Sequence, residues 1–441
     1  MKPNSLDRRV PIQSALVLHP DRARKDDLRR AAARLAEAVG LAEALDLRVA
    51  ASEVAPLRRI TPATLIGAGK VAEIGERAAA LDLDVVVVDD ALSPVQQRNL
   101  ERAWNVKVVD RTGLILEIFA RRARTREGRL QVELARLEYE RSRLVRTWTH
   151  LERQRGGFGT MGGPGETQIE TDRRLLAERL ARLKRELVDV RRTRTLARQA
   201  RRRVPFPAIA LVGYTNAGKS TLFNRLTASG VVAADMLFAT LDPTMRRVKL
   251  PNGRPAILSD TVGFISDLPH ELVEAFRATL EEVKEADIIL HVRDIASAES
   301  EAEAADVRRV LDELGAGEEA GQPVLEIWNK IDLLPDEGRA FLTARAGRER
   351  GGAVAVSAVT GEGIGRLIET LSGLVDEGPV LTIELTAADG EGLAWLYRHG
   401  RVLGREDGEG GAVTIRARLD LAALSRFERI RPQAVTAAAA E

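Results

Sequence analysis

Residues 213–220 carry the pattern GxxxxGK[ST], which constrains the fold of this chain more than any other feature. The pattern directly follows an apolar run and precedes a stretch of helical character. Gly213 and Gly218 allow successive backbone N–H groups and a helix N-terminus to face one anion. Lys219 can bring a positive charge to the outer phosphates, and the hydroxyl of Ser220 can bind Mg²⁺. The pattern therefore predicts the strand, loop and helix of a nucleotide-binding α/β domain.

Three further motifs follow in order, each at the end of a predicted strand. Residues 260–263 place a carboxylate where it can hold magnesium through water, and a glycine N–H where it can meet the γ-phosphate. In residues 329–332, the carboxylate of Asp332 can accept from the N1–H and the exocyclic amine of guanine, a donor pair that adenine lacks. Asn329 and Lys330 would buttress this pocket, and the backbone of residues 357–359 could meet guanine O6.

Each motif is weak evidence when taken alone. The GxxxxGK[ST] pattern also fits ATPases and kinases, and a short Asn-Lys-x-Asp string occurs often by chance. The order of the four motifs and their placement at strand ends are much less common by chance. Together they predict binding of a guanine nucleotide.

Residues 237–244 lie between the first two motifs and contain two threonines. A threonine here can reach Mg²⁺ only when a γ-phosphate is present, so this segment is predicted to be a switch that GTP orders and hydrolysis releases. We assign that role to Thr240 rather than Thr244. Phe264 stands where Ras-like enzymes have a water-orienting glutamine, and a phenylalanine cannot orient water.

Composition limits the class of protein. The 441 residues predict two or three domains, and their 44% apolar content is enough for ordinary cores. The chain has no cysteine, which excludes disulfides and thiolate metal sites. Its 5 histidines show no metal-ligand spacing, and no apolar run approaches the ~18 residues of a membrane span. We expect a soluble, monomeric, cytoplasmic protein.

The net charge of +2 conceals one strongly basic region. Residues 121–155 contain 11 Lys and Arg against 5 Asp and Glu, and residues 173–203 contain 13 against 3. Leucines recur in both windows at spacings of three, four and seven, which predicts two helices with one apolar seam each. The glycine-rich residues 156–165 between them predict a non-helical tip, and hence an antiparallel helical hairpin. A solvated linker is the alternative, but the excess of one sign favours contact with RNA.

The predicted fold class is a multidomain α/β protein. An N-terminal α/β domain with a parallel sheet is expected at residues 1–120, and the basic hairpin at residues 121–203. A P-loop GTPase domain is expected at residues 204–376, with a mostly parallel sheet covered by helices on both faces. A small α/β appendage and tail are expected at residues 377–441. Residues 67–70, Gly-Ala-Gly-Lys, look like a fragment of a phosphate loop, but a strand-to-helix turn is the better interpretation.

Several strings resemble those of the HflX-type GTPases, in the Obg-HflX group of P-loop GTPases. They are the phosphate loop, the switch Leu-Phe-Ala-Thr-Leu-Asp-Pro-Thr, the string Asp-Thr-Val-Gly-Phe, the glycine-rich tip and residues 110–120. The resemblance covers nearly the whole chain and departs at none of the nucleotide positions. The nucleotide contacts that it implies are Gly213, Tyr214, Thr215, Asn216, Ala217, Gly218, Lys219, Ser220, Thr221, Phe238, Ala239, Thr240, Leu241, Asp242, Asp260, Thr261, Val262, Gly263, Asn329, Lys330, Ile331, Asp332, Ser357, Ala358 and Val359.

The resemblance also implies a mechanism and a partner. Ser220 and Thr240 would be magnesium ligands, with Asp260 acting through water, and Lys219, Thr240 and Gly263 would be the catalytic groups. Family members bind the large ribosomal subunit, insert the hairpin tip toward the peptidyl transferase centre and dissociate stalled or idle ribosomes under stress. Two rivals remain open: a GTPase acting on another RNA, in tRNA modification or subunit assembly, and a non-catalytic regulator of a protein partner.

Overall fold

The computed structural model describes every residue of the chain except 1–11, 23–30, 155–170, 172, 191–205, 229–236, 239, 242, 252, 254, 267–279, 349–351, 376–379, 409–410, 420–423, 425–426, 428–429, 432–434 and 439–441. The described strands form three sheets of 4, 6 and 4 strands that follow one another along the chain. The protein is a multidomain α/β protein, as the sequence predicts. No helix among the described residues is both long and apolar enough to cross a membrane.

The first sheet belongs to the N-terminal domain and has the order β2-β1-β3-β4, with every pair parallel. The four consecutive valines of β3 are buried, because helices cover both faces of a parallel sheet. The elements are β1 (Ser14–Asp21), α1 (Ala31–Glu43), β2 (Arg48–Pro56), α2 (Ala68–Ala80), β3 (Val85–Val88), α3 (Pro94–Trp104), β4 (Lys107–Asp110) and α4 (Arg111–Arg122).

Local sequence explains where two helices of this domain begin. A capping box of Ser93 and Gln96 starts α3, with proline at the first helical position. The fragment that looks like a phosphate loop forms the start of α2, with Gly67 as its N-cap. Lys70 Nζ lies 2.8 Å from both Glu53 and Glu73, so its charge is balanced within the domain. These contacts support the interpretation of residues 67–70 as a turn into a helix.

Two long helices follow, α5 (Arg126–Gln154) and α6 (173–190). Their leucine seams pack together as predicted, in a cluster of Leu134, Leu137, Leu180, Leu183 and Leu187. Ion pairs Glu133–Arg179 and Glu138–Lys184 connect the helices at 2.5 and 2.9 Å. The glycine-rich tip at 156–165 lies outside the described residues.

The second sheet belongs to the GTPase domain and has the order β10-β9-β8-β5-β7-β6. Only β6 runs antiparallel to its neighbour in this sheet. The elements are β5 (Ala208–Gly213), α7 (Lys219–Thr227), β6 (Thr244–Lys249), β7 (Pro255–Asp260), α8 (280–284), β8 (Ile288–Asp294), α9 (Ser300–Leu314), β9 (Val324–Asn329), α10 (Asp336–Ala346), β10 (Ala353–Ala355) and α11 (Ile364–Val375).

The third sheet forms the C-terminal appendage and has the antiparallel order β12-β13-β11-β14. Helix α12 packs on this sheet, and the fully buried ring of Phe427 belongs to the same apolar cluster. The elements are β11 (Val380–Thr386), α12 (Gly390–His399), β12 (Arg401–Asp407), β13 (Ala412–Arg418) and β14 (Val435–Ala438).

One apolar cluster joins the N-terminal domain to the GTPase domain. It contains Val17 and Phe119 from the first, and Val212, Phe238 and Phe264 from the second. The N-terminal domain therefore packs directly against the part of the GTPase domain in which the predicted nucleotide motifs lie.

Candidate nucleotide-binding site

The phosphate loop begins where β5 ends and closes on the first turn of α7. Gly213 has a φ of 152°, and a Cβ there would lie 2.2 Å from the carbonyl oxygen of Val292. Gly218 has a φ of 90°, and a Cβ there would lie 2.2 Å from Nδ2 of Asn329. Both positions therefore require glycine, on grounds of backbone conformation and of space.

Lys219 lies buried inside this loop. Its Nζ donates to the carbonyl oxygen of Tyr214 at 2.7 Å and to that of Gly213 at 3.1 Å. Burial lowers the pKa of Lys219 to about 8, against the opposing effect of the Asp260 carboxylate. A phosphate would supply the strong negative partner that this buried cation lacks.

The remaining loop residues enclose this space. Thr215 and Ala217 are buried, and Thr221 lies partly buried in α7. Asn216 is exposed and has a φ of 59°, in the left-handed region. The Oγ1 atom of Thr215 is buried and has no hydrogen-bond partner among the described residues. A buried hydroxyl without a partner is consistent with a loop that binds a polar ligand, because the ligand could supply the missing hydrogen bond.

Ser220, Thr240 and Asp260 converge on one point. The Ser220 hydroxyl donates to Oδ2 of Asp260 at 2.7 Å, and Thr240 Oγ1 lies 2.9 Å from that oxygen and 2.8 Å from Ser220 Oγ. Burial raises the pKa of Asp260, although the Ser220 hydrogen bond and the Lys219 charge act against this. Oδ1 of Asp260 is buried without a partner among the described residues.

This cluster has the donor set that Mg²⁺ prefers, because all of its members are hard oxygen ligands. Ser220 and Thr240 would hold the ion directly, and Asp260 would hold it through water. A bound magnesium ion would neutralise charge on the phosphates. The orphaned carboxylate oxygen supports this fit, since its burial needs a compensating partner.

Gly263 follows β7 and lies against the phosphate loop. A Cβ there would lie 2.9 Å from Cα of Thr215 and 3.0 Å from Nζ of Lys219. Thr261 and Val262 are buried, and the hydroxyl of Thr261 donates to the carbonyl oxygen of Leu211 at 2.5 Å. The backbone of Gly263 can therefore face the same ligand as Lys219.

The ring of Phe264 is part of the apolar core. It is only 3% exposed and belongs to the core that joins the two domains. Its backbone pairs with the phosphate loop, because Thr215 N donates to Phe264 O at 2.7 Å and Phe264 N donates to Gly213 O at 3.1 Å. Phe264 thus fixes the spacing of the two motifs, and its side chain has no polar group to orient water.

The motifs that are predicted to bind the base meet around Asn329. Its Nδ2 donates to the carbonyl oxygen of Ala217 at 2.8 Å, and its Oδ1 accepts from the backbone N–H of Ala358 at 3.0 Å. Lys330 forms an ion pair with Asp294 at 2.7 Å. Asn329 therefore ties the phosphate loop to the segment 357–359, as a buttress would.

Asp332 lies beside this junction. Its Oδ1 is buried without a hydrogen-bond partner among the described residues, so the carboxylate can accept from a base. Ile331 is buried next to it. Ser357 and Ala358 are buried, whereas Val359 is 69% exposed, and the guanidinium of Arg225 donates to the carbonyl oxygens of Ala358 and Val359.

The structure describes only part of the predicted switch segment around Thr240. Leu237, Phe238, Thr240 and Leu241 are placed, whereas the predicted contacts Ala239 and Asp242 lie outside the described residues. Phe238 is a non-glycine residue with a φ of 56° and is 2% exposed. The side chains of Phe238 and Leu241 are buried in the interdomain core, and Leu237 packs against it.

Comparison with known proteins identifies the family. Four family models match in order: "GTP-binding GTPase N-terminal" at residues 32–120, "GTP-binding GTPase Middle Region" at 122–201, "50S ribosome-binding GTPase" at 208–330 and "HflX C-terminal domain" at 342–437. GTPase HflX of Magnetococcus marinus is 53% identical over 376 residues, which cover 85% of each chain. The chain belongs to the HflX GTPase family.

A second curated relative agrees with this membership. GTPase HflX of Escherichia coli strain K12 is 46% identical over 373 residues, covering 84% of this chain and 86% of that one. A GTP-binding protein of Sulfolobus solfataricus, solved with GDP, is 24% identical over 82% of this chain and 98% of its own, with a TM-score of 0.45. The resemblance drawn from the sequence motifs is confirmed, and HflX membership makes this chain a GTPase.

Sequence reasoning missed four residues that connect the HflX N-terminal domain to the site: Glu37, Arg111, Tyr214 in its bridging role, and Ser266. The Tyr214 hydroxyl donates to Glu37 and accepts from the Ser266 N–H at 2.7 Å. Arg111 donates to Glu37 and to Ser266, and the Ser266 hydroxyl donates to Glu37 at 2.9 Å. The sequence offered only a weak signal, an arginine at the first position of the largely apolar helix α4.

Proposed function

We propose that this GTPase acts on the ribosome. The N-terminal domain and the basic hairpin would bind the large subunit and its rRNA near the peptidyl transferase centre, and the protein would dissociate stalled or idle ribosomes under stress. GTP would favour binding, and hydrolysis would permit release. The observation that carries the proposal is the match of residues 208–330 to the family described as 50S ribosome-binding GTPases.

The proposal extends to the organisation of the chain. It assigns residues 1–120 to the N-terminal domain, 121–203 to the hairpin, 204–376 to the GTPase domain and 377–441 to the C-terminal domain and tail. The protein would act as a monomer in the cytoplasm. The nucleotide and magnesium contacts would be those that the motifs predict, with Ser220 and Thr240 as metal ligands.

Electrostatics support an RNA partner for the hairpin. Several of the described arginines in α5 and α6 pair with acidic neighbours, as Arg136 does with Glu140 and Arg182 with Glu186. These pairs account for only part of the 24 basic residues of the two windows, which face 8 acidic ones. The remaining excess suits a polyanion, and contact with phosphates makes binding strongly dependent on salt.

The site also supports control by the partner. Because the buried side chain of Phe264 cannot orient water, the isolated protein should hydrolyse GTP at ~10⁻⁴ to 10⁻² s⁻¹, the range of unassisted GTPases. Large ribosomal subunits should accelerate this turnover. At subsaturating ribosome, the stimulated rate should fall steeply with salt while the basal rate barely changes.

The decisive experiment measures GTP turnover with and without 50S subunits across a salt series, together with co-sedimentation in the GDP and GTP-analogue states. Charge reversal of several arginines in residues 173–203 should abolish stimulation and leave GTP affinity intact. Reversal of Arg309 and Arg348, which are exposed on the GTPase domain, is the matched control. Fast turnover of the protein alone, or stimulation that survives the hairpin reversal, would contradict the proposal. Preferential binding to tRNA or precursor rRNA would favour the rival RNA substrate.

A further inference from the structure

The predicted switch segment packs against the N-terminal domain rather than against its own domain alone. The rings of Phe119 in α4 and Phe238 in the switch lie edge to face, with centroids 4.8 Å apart and planes at 87°. Phe119 is fully buried, and Phe238 is 2% exposed. Each ring therefore fills space that the other domain leaves open.

A second contact holds the residue before Phe238. Leu237 lies over Gly40 of α1, where an added Cβ would come within 3.2 Å of Leu237 Cδ1. Leu241, on the other side of Thr240, is buried in the same interdomain core as Phe119. The N-terminal domain thus contacts the switch at Leu237 and Phe238, and Leu241 lies in the core that the two domains share.

The backbone of the switch depends on these contacts. Phe238 adopts a φ of 56°, which a bulky residue rarely adopts unless its surroundings hold it there. Thr240 follows two residues later, with its hydroxyl 2.8 Å from Ser220 Oγ and 2.9 Å from Asp260 Oδ2. The conformation that seats Phe238 on Phe119 is therefore the conformation that brings Thr240 to the other two oxygens.

We propose that Phe119 of the N-terminal domain is a positioning residue for the nucleotide site, which holds Phe238 so that Thr240 stays beside Ser220 and Asp260. The inference rests on the proposed role of these oxygens in binding Mg²⁺ and goes beyond it, since it places part of the control of the metal site in another domain. Phe119 is not among the predicted nucleotide or metal contacts, and it acts through the packing of one ring.

The position of Phe119 also connects the switch to the hairpin. Phe119 lies in the last turn of α4, which ends at Arg122, and α5 begins at Arg126. A partner that moves the base of the hairpin would therefore move the surface on which Phe238 rests. Packed side chains transmit such displacements because protein interiors are close-packed.

The test compares four variants of the full chain: Phe119→Ala, Phe119→Leu, Gly40→Val and Leu100→Ala. Gly40→Val removes no core side chain and displaces Leu237, so it remains informative if Phe119→Ala fails to fold. Leu100 is equally buried but lies in the separate core on the other face of the N-terminal sheet.

The first measurement is the Mg²⁺ concentration for half-maximal binding of a non-hydrolysable GTP analogue, together with the affinity for GDP in EDTA. The second is hydrogen exchange at the amides of Leu237 and Leu241 without nucleotide or metal.

We expect Phe119→Ala and Gly40→Val to raise the half-maximal Mg²⁺ concentration by about fivefold or more, the lower end of typical coupling between sites. GDP affinity should stay nearly unchanged, and the two amides should exchange faster. Phe119→Leu should retain most of the wild-type Mg²⁺ dependence. A wild-type Mg²⁺ dependence in both variants, or an equal shift in Leu100→Ala, would overturn the proposal. Ser220→Ala separates the two claims: if it also leaves the Mg²⁺ dependence unchanged, the metal site itself is wrong.

Discussion

Arg111 of the N-terminal domain donates a hydrogen bond of 2.9 Å to the carbonyl oxygen of Ser266 in the GTPase domain, 155 positions away along the chain. The same guanidinium forms ion pairs with Asp89 and Glu37. These groups lie at the carboxyl edge of the N-terminal sheet, where β1 has β2 on one side and β3 on the other. Open α/β sheets commonly bind ligands at such a change of strand order. Here the GTPase domain fills that position.

Arg111→Ala should destabilise the protein by about 3 to 5 kcal/mol, because it leaves two buried carboxylates without their cation. Burial raises the pKa of Asp89, but the charge of Arg111 and the hydrogen bonds to His19 and Arg111 together outweigh this effect and hold that pKa below its ordinary value. Urea unfolding at neutral pH measures the loss. Arg136→Ala is the control, since its pair with Glu140 is half-exposed and should contribute less than about 1 kcal/mol. Equal losses in the two variants would contradict the buried-pair account.

Asp332→Asn should shift base preference from GTP toward xanthosine triphosphate. The amide presents a donor where guanine needs an acceptor, whereas xanthine offers a carbonyl there. Competition binding with both nucleotides measures the shift. Asp336→Asn, at a nearby carboxylate that is 94% exposed, should leave the preference unchanged. Wild-type GTP affinity in Asp332→Asn would remove the base-reading role from this residue.

Lys219→Ala should lose most nucleotide affinity, and Ser220→Ala should lose most magnesium-dependent hydrolysis, because each change removes a group that contacts the phosphates or their metal. Nucleotide titration and single-turnover hydrolysis measure the two effects. Lys249→Ala removes an exposed lysine from β6 and serves as the control for charge. If both site variants kept wild-type turnover, the active site would lie elsewhere.

His291 should make the folded protein sensitive to mild acid. Burial lowers the pKa of His291 to about 4, and the Arg293, Arg308 and Lys219 charges add to this while Glu326 opposes it. Between about pH 6.5 and 4, His291 is therefore protonated in the unfolded chain but mostly neutral in the folded one. The free energy of unfolding decreases as pH falls through this range. The loss should reach about 2 kcal/mol by pH 4.5, as estimated from the linkage relation.

His291→Gln should remove most of this decrease between pH 7 and 4.5, measured by urea unfolding at each pH. His399→Gln changes a histidine that stacks on Trp395 in the C-terminal domain and controls for general effects of the substitution. An identical pH profile for His291→Gln and the unmodified chain would show that this ring is not the source of the acid sensitivity.

The sequence predicted the parts of the site that depend on local pattern. Strand-end motifs such as residues 329–332 could be placed because parallel strands bring their carboxyl ends to one edge, where Asn329 then reaches Ala217 and Ala358. The fold class could be predicted for the same reason, since buried runs such as Val85–Val88 alternate with amphipathic helices. The catalytic and binding roles of the individual residues stay predictions.

The contacts between domains could not be predicted in this way. Glu37 and Tyr214 are 177 positions apart, and Glu37 and Ser266 are 229 apart, so no periodicity or spacing relates them. Phe119 and Phe238 each read as ordinary apolar residues of their own segments. Only the folded arrangement reveals that each completes the core of the other domain.

The apolar cluster that contains Val17, Phe119, Val212 and Phe238 belongs to both domains at once. Neither half can bury its share alone, so heat should melt the two halves in one cooperative transition rather than in succession. A fragment that ends near residue 120 would expose a large apolar face and should self-associate. The N-terminal domain and the predicted nucleotide site would therefore form one folding unit, and damage to either half should remove both together.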